Sequence, residues 1–148
     1  MPSQVTADPS ASTGEMAGAL SIIRVLVVED FPSFRQFVCS TLEENPKFQV
    51  VCEVSDGLEA VRKAEELQPD LILLDIGLPS LNGLEAARQI LERAPKAKII
   101  FVSQESSPEV VREALAIGWG YVLKARAAKD LIVALEAFIL QKQFVSAI

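Results

Sequence analysis

Residues 70–88 read DLILLDIGLPSLNGLEAAR, and this stretch decides the fold. The run DLILL (70–74) has the length and apolar character of a strand buried on both faces, and a helix is expected from about Asn82 to Arg93, stopping at Ala94-Pro95. Similar units stand on either side. The runs IIRVLVV (22–28), FQVVCEV (48–54), KIIFVS (98–103) and YVL (121–123) are β-branched or aromatic enough for further strands. Between them lie helical stretches. One follows Pro32 and places Phe34, Phe37, Val38, Thr41 and Leu42 at helical spacing up to Asn45-Pro46. A second starts at Asp56-Gly57, where Asp56 and Glu59 fit a capping box, and runs to Pro69. A fourth has Ser107 as N-cap and Pro108 as its first residue and ends at Gly118, and a fifth is predicted over roughly Lys129 to Lys142.

The order is therefore β-α five times, without internal repeat. Right-handed crossovers leave few arrangements, and the favoured one is an α/β, flavodoxin-like, doubly wound fold: a five-stranded parallel sheet of order 2-1-3-4-5 with helices on both faces. Ligands bind such sheets where strand order reverses, at the carboxyl ends of strands 1 and 3. The residues just after Val28 and Leu74 are the place to look.

Composition narrows the classes. With 148 residues, half of them hydrophobic, the chain can bury one core and is too short for two ordinary domains. Residues 1–20 (MPSQVTADPSASTGEMAGAL) carry too little apolar content to offset the entropy of ordering, so a flexible tail is expected there, followed by one domain over 22–143. The net charge of -6 and the scattered Lys and Arg argue against direct nucleic-acid binding. Cys39 and Cys52 sit in apolar stretches and read as small buried hydrophobes, which suits a reducing compartment. No membrane contact is expected, because no run reaches the roughly eighteen apolar residues of a span and no signal peptide is evident. A cytoplasmic location is the expectation.

The chemistry lies at the carboxyl edge. Glu29 and Asp30 follow strand 1 and Asp75 follows strand 3, so three carboxylates meet in one crevice. Their repulsion calls for a cation, and a hard divalent ion with oxygen ligands, Mg²⁺, suits that set. Each acid alone could be a helix cap or a solvated loop charge; three converging acids are harder to explain so. Strand 4 ends in Ser103 and strand 5 is followed by Lys124, which adds a hydroxyl and an ammonium. Alone, these would be a turn residue and a surface charge. Together with the acids they suit a tetrahedral dianion carried on a carboxylate, with Asp75 as nucleophile.

The stretches VLVVEDFPSFR, DLILLDIGLPSLNGLEAAR, FVS ending at Ser103 and YVLK ending at Lys124 resemble the receiver domain of two-component response regulators, over residues 22 to about 142. The resemblance implies that Asp75 is the phosphoacceptor and that Glu29, Asp30, Asp75 and the backbone carbonyl of Gly77 hold Mg²⁺. It also implies that Ser103 and Tyr121 are the switch pair and that Lys124 is the family's lysine. The expected donor is a sensor histidine kinase, with Phe31, Phe34 and Arg35 as its docking surface. The phosphoryl group would draw Ser103 toward it and let Tyr121 rotate inward, changing the surface of helix 4, strand 5 and helix 5 for a downstream effector or a homodimer. The chain would be a regulator and not a free-standing enzyme.

Three positions depart from the family's usual pattern: Glu29 where Asp is more frequent, Gln104 where a small residue is usual, and Ala125 where many receivers have proline. Rival readings fare less well. A flavodoxin-like cofactor binder needs a glycine- and hydroxyl-rich first loop, and here it reads EDFPSF; an aspartyl-phosphate hydrolase carries Asp-x-Asp after strand 1, and here Glu29-Asp30-Phe31 stands there. The alternative that keeps the fold is a degenerate receiver acting as a phosphorylation-independent interaction module.

Overall fold

The computed structural model describes residues 21–147; the expected tail over residues 1–20 lies outside the described residues. Five strands form one parallel sheet: β1 (Ile23–Val28), β2 (Phe48–Val54), β3 (Leu71–Leu74), β4 (Lys98–Ser103) and β5 (Gly120–Leu123), in the order β2-β1-β3-β4-β5. The helices between them are α1 (Pro32–Glu43), α2 (Gly57–Leu67), α3 (Gly83–Arg93), α4 (Pro108–Ile117) and α5 (Ala127–Ile139). This is the doubly wound topology expected from the sequence.

Alternation along the strands builds two cores, because successive side chains leave a strand on opposite faces. Leu26, Val28, Ile72, Leu74, Ile99 and Phe101 turn to the face covered by α2, α3 and α4. Val25, Val27, Leu71, Leu73, Ile100 and Val102 turn to the other face, under α1 and α5. Burial on both faces is why these strands read as continuous apolar runs. β1 and β2 slip register between Val25 and Leu26, whose partners are Val50 and Cys52, so Val51 is an extra residue in the edge strand.

The caps follow the sequence. Asp56, Asn82 and Ser107 each accept a hydrogen bond from the backbone N–H three residues on, at 2.8, 3.1 and 3.2 Å. Pro32 and Pro108 occupy first-turn positions. Gln68 ends α2 in the left-handed region at φ 48°, and its side-chain amide donates to the carbonyls of Glu65 and Arg93.

The fifth helix differs from its expected span of Lys129 to Lys142. A 3₁₀ turn over Lys124–Arg126 leads straight into α5, which starts at Ala127 and stops at Ile139. Gln141 then takes φ 60°, and the chain turns back so that residues 144–146 lie along β5. Asp130, nearly buried at 6% exposure, is the anchor: Ser146 Oγ donates to its Oδ2 at 2.7 Å and Arg126 Nε at 3.1 Å.

The Ser146 hydroxyl, with Arg126 adding, holds the Asp130 carboxyl below its ordinary value. A folded pKa below the unfolded one gives stability that is full above about pH 4 and is lost as pH falls through the folded value. Urea midpoints of wild type and Asp130→Asn, measured from pH 7 down to pH 2.5, should therefore converge on the acid side; a constant gap would refute the linkage.

Cys39 is buried, and burial, with Glu53 adding, pushes its thiol up to about 12. Cys52 is only half-buried, on the edge strand. Among the described residues, no helix is long and apolar enough to cross a membrane.

Candidate functional site

The carboxyl ends of β1, β3, β4 and β5 open into a crevice of about 670 Å³ whose walls include Asp30, Asp75, Gly77, Ser103, Gln104 and Lys124. Backbone bonds fix the two acid-bearing loops against each other. Asp75 N–H donates to the Val28 carbonyl at 3.1 Å, and Glu29 N–H donates to the Val54 carbonyl at 3.0 Å. The first residue past each strand is thus still held by the sheet. α3 closes the third side: Gly83 N–H donates to the Ile76 carbonyl at 2.7 Å, and a Cβ at Gly83 would lie 2.0 Å from the Asp75 carbonyl oxygen.

Glu29 and Asp75 are 2% and 5% exposed, whereas Asp30 stands in the open. Carboxylate oxygens of all three lie within 4.8 Å of one another. The Lys124 ammonium reaches in from β5 to Glu29 Oε1 at 2.9 Å and Asp75 Oδ2 at 3.0 Å, and the Phe34 ring lies beneath it, 4.8 Å from Nζ to centroid. Asp75 Oδ1 accepts from the N–H of Ile76 at 2.7 Å and, more weakly, of Gly77 at 3.4 Å. Glu29 Oε2 accepts from Phe31 N–H at 3.0 Å.

These contacts set the charges. Burial, reinforced by the Asp75 charge, raises the Glu29 carboxyl above its ordinary value despite Lys124 and the Phe31 N–H. Burial alone would lower the Lys124 ammonium; its bonds to Glu29 and Asp75 outweigh that and carry it above the usual lysine value. Three acids facing one half-buried cation keep a net negative charge. A hard divalent cation takes about six oxygens at about 2.0–2.1 Å, so oxygens this close, on an open wall with room for water, fit Mg²⁺.

Ser103 is buried at the end of β4, where its Oγ accepts from Glu105 N–H at 3.3 Å. Tyr121 lies behind the crevice. Its ring is already inward and fully buried, 6.3 Å from the Phe101 ring between centroids, and its hydroxyl donates to the Glu105 carbonyl at 2.7 Å. That carbonyl satisfies the buried hydroxyl. Burial raises the Tyr121 phenol, against a counteracting hydrogen bond from Ser103.

The sequence-derived residues thus converge: Glu29, Asp30, Asp75, Ser103 and Lys124 meet at one edge, Gly77 lines it and Tyr121 backs it. Gln104 is exposed at the crevice wall. The Lys124–Ala125 link, at the start of the 3₁₀ turn, is an ordinary trans peptide. Sequence reasoning missed three supports. Phe34 underlies Lys124 instead of serving only the core, Arg35 Nη1 donates to the Glu29 carbonyl at 2.8 Å, and the Glu105 carbonyl receives Tyr121. Helical spacing did place Phe34 and Arg35 beside the acidic edge, but a backbone acceptor such as Glu105 leaves no mark in the sequence.

Fold and site define a small α/β module with an acidic crevice at the carboxyl edge of its sheet. The chain belongs to the response regulator receiver domain family, whose model matches residues 25–136. It is 36% identical over 115 residues to the transcriptional regulatory protein DegU of Brevibacillus brevis, covering 77% of this chain and 49% of that protein. It is 36% identical over 112 residues to the chemotaxis protein CheY of Listeria monocytogenes, covering 76% of this chain and 86% of that one. The crystal structure of the response regulator domain of Thermotoga maritima CheB superposes with a TM-score of 0.73 at 35% identity, over 81% of this chain and 95% of that one. The chain thus spans about half of DegU and most of CheY. A receiver of this family serves two-component phosphorelay signalling.

Proposed function

We propose that this receiver, over residues 22–143, accepts a phosphoryl group onto Asp75 from the phosphohistidine of a sensor histidine kinase, in a Mg²⁺-dependent reaction. One observation carries the reading: the Asp75 carboxylate is held on one oxygen by backbone N–H groups and on the other by Lys124, yet it lines an open crevice. That is a preorganised nucleophile with access for a donor. An Asp75 oxygen attacks phosphorus, the P–N bond breaks, and its electron pair leaves with the imidazole. Lys124 neutralises the growing charge on the transferred oxygens, and Ser103 donates a hydrogen bond to one of them. Glu29, Asp30, Asp75 and the Gly77 carbonyl would hold Mg²⁺, which when bound offsets phosphoryl charge.

The chain acts as a regulator and not as a free-standing enzyme. Phosphorylation draws Ser103 toward the phosphoryl group, and the space it leaves near β4 accommodates Tyr121 in its inward place; the altered face of α4, β5 and α5 is then offered to a downstream effector or to a second copy. No direct binding of nucleic acid by this segment is part of the reading, and its setting is the cytoplasm.

Incubation with acetyl phosphate and Mg²⁺, followed by intact-mass analysis, should show one added phosphate on wild type and none on Asp75→Ala. A wild type without adduct, or an undiminished adduct on the variant, overturns the proposal. In the first case the degenerate interaction module takes its place.

A further inference from the structure

α1 begins two residues past Asp30, and the side chains of a helix lean toward its N-terminus, so Phe34, the third residue of α1, is carried back over the acidic edge. Its ring is half-buried, lines the crevice, and lies 4.8 Å from centroid to Lys124 Nζ. That is inside the roughly 6 Å at which an ammonium is drawn to a ring face. Phe37, one turn further on, packs against it at 5.5 Å between ring centroids, and both rest on the core under α1 and α5. Burial alone asks only for an apolar side chain at this point of the stripe, and leucine would serve. What leucine lacks is the negative face of the ring, turned here to the Lys124 ammonium.

The other contacts of that ammonium are with carboxylates, Glu29 Oε1 at 2.9 Å and Asp75 Oδ2 at 3.0 Å. Those bonds are directional, and the one to Asp75 has to be given up when Lys124 turns to the oxygens of a transferred phosphoryl group. A cation on a ring face meets no single acceptor atom, so it shifts across the face with little loss. The lysine stem is flexible and 18% of the side chain is exposed, so without a floor the ammonium is free to swing out into water.

We infer that Phe34 is a positioning residue: its ring face seats the Lys124 ammonium beside Asp75 and keeps it there while it passes from the carboxylate to the phosphoryl oxygens. The passage rests on the reading of Asp75 as phosphoacceptor; the seat itself does not.

The test compares wild type, Phe34→Leu, Phe34→Tyr and Phe37→Leu as whole chains. Leucine at 34 keeps the apolar bulk and removes the ring face, tyrosine keeps the face, and Phe37→Leu takes an aromatic from the same stripe one turn away. Phosphoryl uptake from acetyl phosphate and Mg²⁺, followed by intact mass, should slow about fivefold in Phe34→Leu and stay within about twofold of wild type in the other two. Acetyl phosphate brings no protein surface, so kinase docking has no part in the result. By NMR, ring current should place the Lys124 ε-methylene protons of wild type upfield of those in Phe34→Leu, and they should stay upfield with Mg²⁺ and beryllofluoride, a phosphoryl mimic, on Asp75. Uptake undiminished in Phe34→Leu, or lowered as far in Phe34→Tyr or Phe37→Leu, overturns the positioning role. Wild-type protons without the upfield shift overturn the seat, and a shift lost on loading overturns the passage. A wild type that takes up no phosphoryl group overturns the reading of Asp75, while the proton shifts still decide the seat.

Discussion

Replacement of Lys124 by methionine should slow phosphoryl uptake at Asp75 by about a hundredfold and, without Mg²⁺, lower stability by about 2 kcal/mol. The two effects share a cause. The ammonium lies within 3.0 Å of both Glu29 and Asp75, and those carboxylates are 2% and 5% exposed. Removing one partner of a buried ion pair costs about 3–5 kcal/mol, because the other charge stays behind without compensation. Lys124 keeps 18% of its side chain in solvent, so the figure is discounted toward about 2. The rate falls further because a cation aimed at developing charge in a partly dry site acts on the transition state, where losing one such group typically costs about 10²- to 10³-fold.

The pH dependence of that variant separates charge from packing. Glu29 already sits above its ordinary value through burial, and without Lys124 only the Phe31 N–H is left to offset burial and the Asp75 charge beside it. A carboxyl whose folded pKa exceeds its unfolded one binds more protons when folded, so its destabilisation grows as pH rises through that window and fades as pH falls. The gap in urea midpoint between wild type and Lys124→Met should therefore narrow from pH 8 to pH 5. A gap independent of pH would mean that only the aliphatic stem had mattered.

The parts of this site that the sequence declared are those that depend on strand period and strand ends. Continuous runs such as DLILL could only be strands covered on both faces, and once five alternated with helices, the handedness of crossovers left Glu29, Asp30, Asp75, Ser103 and Lys124 at one edge. Caps were equally plain, because Asp56, Asn82 and Ser107 act within three residues of themselves. The end of the chain was opaque for the opposite reason. Residues 144–146 have no period to read in three positions, and what makes them strand-like is the unpaired edge of β5 and the Asp130 carboxylate, both remote in sequence. Extending the fifth helix to Lys142 followed local propensity, and tertiary pairing overrode it. The inward seat of Tyr121 was hidden likewise, since it depends on a carbonyl sixteen residues away.

Gly83→Ala should cost about 3 kcal/mol, although alanine is the better helix former by about 1 kcal/mol. Gly83 opens α3 directly against the loop that carries the acceptor. A Cβ there would lie 2.0 Å from the Asp75 carbonyl oxygen, 2.7 Å from the Ile76 Cα and 2.9 Å from the Asp75 carbonyl carbon. All three are backbone atoms, so no rotamer change relieves the contact; either α3 retreats from the sheet or the loop moves. If α3 retreats, the Gly83 N–H to Ile76 carbonyl bond is strained and Ala86, Ala87 and Ile90, all fully buried, lose packing. If the loop moves, Asp75 leaves the Lys124 ammonium and the Ile76 N–H. Gly77 supplies the control two residues from the acceptor, because a Cβ there would meet nothing within 4 Å and its φ is not positive. Gly77→Ala should stay within about 0.5 kcal/mol of wild type. Urea denaturation of the two variants should show a large fall in midpoint at unchanged slope for Gly83→Ala alone. Equal midpoints would mean that the backbone between β3 and α3 yields freely, and Asp75 would then not be the rigidly presented nucleophile that its hydrogen bonds describe.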